Sequence, residues 1–264
     1  MDELHGIPAA RSWRDGLEGV PAAQTWGGGV EPPPPRRAQW HTWVEILLCS
    51  GYPTQIAIGF ALQAAGIGAL RADGSLSATF IFALSLLDTV VLLSLILWLL
   101  RRRAESPRRV FLGDRPVGPE VGAGVLSLPL VIALVAALMF TVLRFAPWLH
   151  NVPENPLESF LGTQTGLLMF LFVVIVAGGL REELQRAFLL HRFRGDLGQP
   201  WLGVLITSLA FGLGHTLQGI DAAIITGSLG ALWGVMYILR RSAVAPIVSH
   251  SLFNSAELVR VFFR

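Results

Sequence analysis

After residue 40 the chain carries seven apolar stretches, near 42–70, 76–100, 122–144, 166–193, 201–217, 222–240 and 243–262. Each is about the ~20 residues that a helix needs to cross the hydrocarbon of a bilayer. Composition supports a membrane reading, since 53% of the 264 residues are hydrophobic and only 14% are charged, more apolar content than one soluble core can bury. The expected fold class is therefore an all-α membrane protein, a polytopic bundle of about seven transmembrane helices in a lipid bilayer. The first stretch is overlong and contains Gly51 and Pro53, so a kink or tilt is expected there.

Residues 1–40 differ from the rest, being rich in Pro, Gly and alternating charges, as in VEPPPPRR at 30–37. They read as a disordered cytosolic tail without the features of a signal peptide, and 41–264 as the transmembrane domain. The loop RRRAESPRRVFLGDRPVGPE holds six arginines and is expected on the cytosolic side. Arg36 and Arg37, Arg192 and Arg194, and Arg240 and Arg241 then fall on that same side, whereas APWLHNVPENPLES, which lacks arginine, falls on the other. The N-terminus is thus cytosolic, and the location expected is a bacterial plasma membrane. A net charge of +2 gives no footprint for nucleic acid. The single cysteine, Cys49, excludes an internal disulfide framework and a CxxC metal site.

Against this apolar background GGLREELQRAF, at 179–189, is anomalous. Each lone charge at the bilayer centre costs a few kcal/mol even on the lenient insertion scale, so charges there are expected to be paired or functional. On a helix Glu182 and Arg186 are spaced i, i+4 and Glu183 and Arg186 i, i+3, so one guanidinium can serve either carboxylate. Two further polar pairs stand one turn apart: Phe211 and His215 in FGLGH, and His250 and Asn254 in HSLFN. Each pair alone can be a packing feature. Three of them on three helices point to a common polar interior. There a carboxylate and an imidazole can activate water, with a second imidazole and an amide offered to an oxyanion. Alternatively Glu182, His215 and His250 can ligate Zn²⁺ with a position open for water.

EELQR at 182–186, FGLGH at 211–215 and HSLFN at 250–254 resemble the EExxxR, FxxxH and HxxxN motifs of the CPBP family, the CAAX-protease and bacteriocin-processing intramembrane proteases, with Arg186 standing one residue nearer the glutamate pair than EExxxR places it. The resemblance covers about 165–256. It implies an intramembrane endopeptidase that hydrolyses a peptide bond near the cytosolic membrane face, with a membrane-embedded or lipid-linked peptide as substrate. It also implies the catalytic set Glu182, Glu183, Arg186, His215, His250 and Asn254. In that set Glu182 with His215 would activate water, His250 with Asn254 would hold the oxyanion, and Arg186 would tether the glutamate pair. The resemblance admits a zinc-dependent and a metal-free glutamate mechanism alike, so the cofactor expectation is either none or Zn²⁺.

Asp88, in the middle of the second stretch, is readable as a cavity residue, as a counter-ion for Arg181 or Arg186, or as a buried carboxyl bonded to a neighbouring hydroxyl. A non-catalytic scaffold on the same fold and a small proton-coupled transporter are the competing functional classes. The presence of every motif residue type weighs against the scaffold, and the lack of an internal repeat weighs against the transporter.

Overall fold

A computed structural model describes residues 36–264. The tail expected over 1–40 lies outside the described residues up to 35, and helix α1 (Arg36–Leu48) takes in the rest. The described residues lie in one compact unit. Among the described residues, regular structure is helical apart from an isolated bridge between Leu70 and Leu76.

The first apolar stretch is broken in the place its composition suggests. Helices α1 and α2 (Tyr52–Ala64) meet at a 41° bend, a broken span or a re-entrant loop. Gly51 supplies the turn with a φ of 89°, and Pro53 opens α2. Helix α3 (Ala78–Arg102) begins where Ser77 accepts a hydrogen bond from the Phe80 amide, and runs 25 residues. A short α4 (Pro107–Phe111) follows, then α5 (Val117–Leu126) and α6 (Leu128–Phe145), which join at Ser127 to make one stretch of 29 residues. Helix α7 (Gln164–Val173) passes through a π-helical segment, Val174–Arg181, into α8 (Glu182–Gly195). Helices α9 (Pro200–Leu213), α10 (Ile220–Arg240) and α11 (Val244–Phe262) complete the chain.

Three of these, Ala78–Arg102, Val117–Phe145 and Ile220–Arg240, are long and apolar enough to cross a membrane, and the bent α1–α2 pair makes up to four. The remaining stretches read as spans are helical too but do not meet that standard. Helix α9 has 14 residues, roughly 21 Å at 1.5 Å per residue. The stretch through α8 carries the charged motif, and α11 carries Glu257 and Arg260. The outer faces are apolar: Phe60, Leu126, Phe140 and Leu209 are exposed, an exterior suited to lipid. The protein is an integral membrane protein.

Inside, Leu92, Ile96, Phe188, Phe193 and Leu190 form a buried cluster joining α3 and α8. Helices α9 and α10 approach closely because both are glycine at the contact. A Cβ on Gly212 would lie 2.6 Å from the Ala223 carbonyl oxygen and 3.3 Å from the Gly227 Cα. A Cβ on Gly179 would run into Ser251, so the π-helical segment sits against α11 with no room for a larger residue.

The end of α8 is clamped by ion pairs. Arg192, fully buried, bonds Glu45 at 2.7 Å and Glu105 at 2.7 and 2.8 Å, while His191 contacts Glu105 at 2.8 Å. Arg103 bridges Glu45 at 2.9 Å and Asp196 at 2.6 Å, and Thr42 donates to Asp196. The network ties α1 and the turn after α3 to α8. Burial pushes the Glu105 carboxyl up, but hydrogen bonds and charge from His191 and Arg192 outweigh it and hold the group below its usual 4.5. A folded pKa below the unfolded one gives stability that is complete above the unfolded value and lost as pH falls through the folded one. The thermal midpoint of Glu105→Gln is therefore expected below that of the parent at ~pH 7, with the gap closing as pH drops below ~4. A gap of the same size at both pH values would show that the ionised carboxylate contributes nothing.

Candidate active site

The π-helical segment leads directly into the charged motif. Such insertions widen one turn and re-aim the residues after it, and they are frequent at functional sites. Sequence periodicity did not reveal it; the adjacent Gly178 and Gly179 are the one local sign.

The two glutamates that follow have separate surroundings. Glu183 is 2% exposed and points inward, where Arg186 pairs with it and His250 Nδ1 lies 2.8 Å from its Oε1. Arg186 is itself buried, its guanidinium 4.7 Å above the Phe211 ring and 6.0 Å from the Trp233 ring. Its Nε has no hydrogen-bond partner. The imidazole of His250 stacks on Trp233 at 3.9 Å between centroids, and Trp233 Nε1 donates to Ser249 Oγ at 3.1 Å. Ser127 donates to the same hydroxyl at 2.8 Å, which joins α6 to α11 through the junction before α6. Glu183, Arg186 and His250 thus form a packed, charge-compensated unit around an aromatic pair.

Glu182 turns the other way. With Arg186 and His215 it lines a cavity of about 290 Å³ between α2, α3, α8 and α9. Apolar groups, Ile46, Leu84, Leu189 and Ile206 among them, make up much of the rest of the wall. Glu182 Oε1 accepts from Arg181 Nη2 at 2.8 Å, while its Oε2 lies 3.9 Å from His250 Nε2. Tyr52 closes part of the wall by donating to the Ala210 carbonyl at 2.6 Å.

His215 is not on a helix, contrary to the expected i, i+4 pairing on one helical face. Helix α9 stops at Leu213, Gly214 ends it, and His215 begins a 3₁₀ turn over Thr216–Gln218. The pairing with Phe211 survives in another form: His215 Nδ1 contacts the Phe211 carbonyl at 2.8 Å and the rings are 4.7 Å apart. This fixes the ring and leaves Nε2 as the nitrogen without that contact. Asn254 is half-buried one turn beyond His250, beside the π-helical segment: a Cβ on Gly178 would come within 2.9 Å of its Nδ2. Neither His250 nor Asn254 is among the residues lining the cavity, and neither is Glu183.

The donors do not fit a metal in this arrangement. Among the described residues no group of three or more His, Cys, Asp or Glu side chains is arranged to hold one. In the set Glu182, His215 and His250, both histidines have Nδ1 held, by the Phe211 carbonyl and by Glu183, which leaves Nε2 of each as the nitrogen open to another partner.

Asp88 and Arg181 belong to the same cavity wall. Asp88 combines the alternatives open for it: it is a cavity residue, a counter-ion for Arg181 at 3.1 Å, and a buried carboxyl that accepts from a hydroxyl, that of Thr54. An aspartate within an apolar run was its signal in the sequence. Gln185, which donates to the Cys49 carbonyl at 3.0 Å and accepts from Arg181 at 3.1 Å, gave none.

Residues 163–256 match a family model described as type II CAAX prenyl endopeptidase, Rce1-like. That segment holds all three motifs and corresponds to the resemblance read from them, while α1 to α6 lie outside it. No curated protein and no solved structure matches the chain.

Proposed function

We propose that the CAAX-endopeptidase-like segment makes this chain an intramembrane endopeptidase, which hydrolyses a peptide bond by water activated between Glu182 and His215. One observation carries this: Glu182 and His215, far apart in sequence and from different motifs, line a single cavity inside an apolar helical body. The carboxylate of Glu182 takes a proton from the water, and the resulting hydroxide attacks the scissile carbonyl carbon. The proton then passes to the leaving amine as the tetrahedral intermediate collapses. His215, held by the Phe211 carbonyl, orients the same water through its other nitrogen. His250, whose Nε2 lies 3.9 Å from Glu182 Oε2, and Asn254, one turn further along α11, would serve the oxyanion. Arg186 and Glu183 hold His250 and the motif helix in place. Since the donors do not converge on a metal, the glutamate mechanism is the one the geometry favours.

The substrate proposed is a membrane-embedded or lipid-linked peptide, in keeping with a cavity that mixes apolar and polar side chains inside an apolar helical body. Seven membrane-associated helical segments with a cytosolic N-terminus complete the topology, supported by the arginines of the 101–120 loop. The test uses the purified chain in liposomes with two quenched fluorogenic probes, a farnesylated peptide ending in a CAAX box and an unprenylated peptide with one transmembrane segment. A single endoproteolytic cut in at least one probe, unaffected by exhaustive chelation, is expected. Cleavage of neither, or stoichiometric zinc whose removal abolishes cleavage and whose return restores it, overturns the respective half of the proposal.

A further inference from the structure

Glu182 has one oxygen already committed. Arg181 Nη2 donates to Oε1, and Oε2 is left on the side of His250 Nε2. Neighbours on an α-helix point about 100° apart and do not ordinarily pair. Arg181 closes the π-helical segment, and its Nε bonds back to the Ala177 carbonyl at 3.2 Å, which lays the guanidinium along the helix and within reach of its neighbour.

The other end of that guanidinium is held as firmly. Nη1 donates to Asp88 Oδ2 and to Gln185 Oε1, both at 3.1 Å. Asp88, 1% exposed, in turn accepts from Thr54 Oγ1 at 2.5 Å and from Gln55 Nε2 at 3.4 Å. A continuous chain therefore runs from α2 through Asp88 on α3 to Arg181 and Glu182. It bears on the proposed general base, and Thr54, Asp88 and Arg181 belong to none of the three motifs.

We propose that Asp88 and Arg181 are positioning residues for Glu182, a role that rests on the water-activation reading above. A guanidinium next to a lone carboxylate tends to pair bidentately and would occupy both oxygens. Asp88 prevents this by drawing Nη1 away, so Arg181 grips Oε1 alone and Oε2 remains available to accept the proton of the attacking water. A general base must lie within hydrogen-bond reach of that proton, and a misplacement of about 1 Å can lower the rate by about 10².

The test compares the parent with Asp88→Asn, Arg181→Gln and the double variant, in liposomes, on the farnesylated and transmembrane peptides. In Asp88→Asn, Arg181 closes on both oxygens of Glu182. In Arg181→Gln, Glu182 loses its anchor and faces Asp88 unshielded. Each single variant is expected to lower kcat about tenfold or more with KM within about twofold, a loss of transition-state rather than ground-state interactions. The double variant frees Glu182 from capture and removes both charges, so its kcat is expected above that of either single variant. Additive losses in the double variant, losses carried by KM, or unchanged kcat in the singles would overturn the assignment. Should Asp88→Asn fail to fold, Thr54→Val removes one restraint on Asp88 with every charge in place, and must lower kcat at constant KM. Glu182→Gln distinguishes loss of the general base from loss of its positioning. If it still cleaves, or if the parent cleaves neither probe, the water-activation reading falls and this role with it. If Glu182→Gln is inactive while Asp88→Asn keeps full kcat, only the positioning role falls.

Discussion

Glu182→Gln is expected to lower the rate of peptide cleavage by about 10²–10⁴, the usual contribution of a positioned general base. The amide keeps the size of the side chain and, through its carbonyl oxygen, an acceptor for Arg181 Nη2, while losing the ability to take a proton. Because Glu182 is on the cavity wall and not in the packed unit behind it, the helical body has no reason to change. The measurement is kcat per folded molecule in liposomes, with the thermal midpoint followed in parallel. Unaltered midpoint with near-complete loss of turnover is the expected outcome. Retained turnover would place the chemistry elsewhere, and a cellular phenotype indifferent to the change would favour a scaffold.

The neighbouring position is expected to respond in the opposite way. Glu183→Ala removes the partner of a buried guanidinium whose Nε is already unpaired, and leaves His250 Nδ1 without its contact. Breaking one side of a buried ion pair typically destabilises by about 3–5 kcal/mol, because the remaining charge has lost its compensation. The aromatic faces of Phe211 and Trp233 offset a part of this. Unfolding in detergent should show the loss as a lower midpoint and a smaller monodisperse fraction. Glu183→Gln, which retains a hydrogen-bonding oxygen for Arg186, should lose less. A stability change below about 1 kcal/mol for Glu183→Ala would mean that Arg186 finds another counter-ion and that the buried unit is not what holds α8 to α11. Two consecutive glutamates, equivalent in the motif, are thereby assigned separable tests.

What the sequence determined by itself was what depends on short-range periodicity and on charge in an apolar setting. Apolar stretches of membrane length forecast the helices, Gly51 and Pro53 forecast the break between α1 and α2, and the three polar pairs drew attention to the segment that matches the endopeptidase family. Asp88 could be seen as out of place in its apolar run, yet its partner could not be chosen, because Arg181 and Arg186 are equally plausible until helices are packed. Tertiary structure alone decided the rest. The π-helical segment lies where α11 comes against Gly178 and Gly179, a contact between segments some 70 residues apart, roughly the distance from Gly179 to Ser251 along the chain. Packing also sends Glu182 to the cavity and Glu183 to His250, while the end of α9 at Leu213 puts His215 at the start of a 3₁₀ turn. Helical spacing fixes which residues share a face of one helix, but whether that face meets a cavity or another helix is set by long-range contacts that no local pattern encodes.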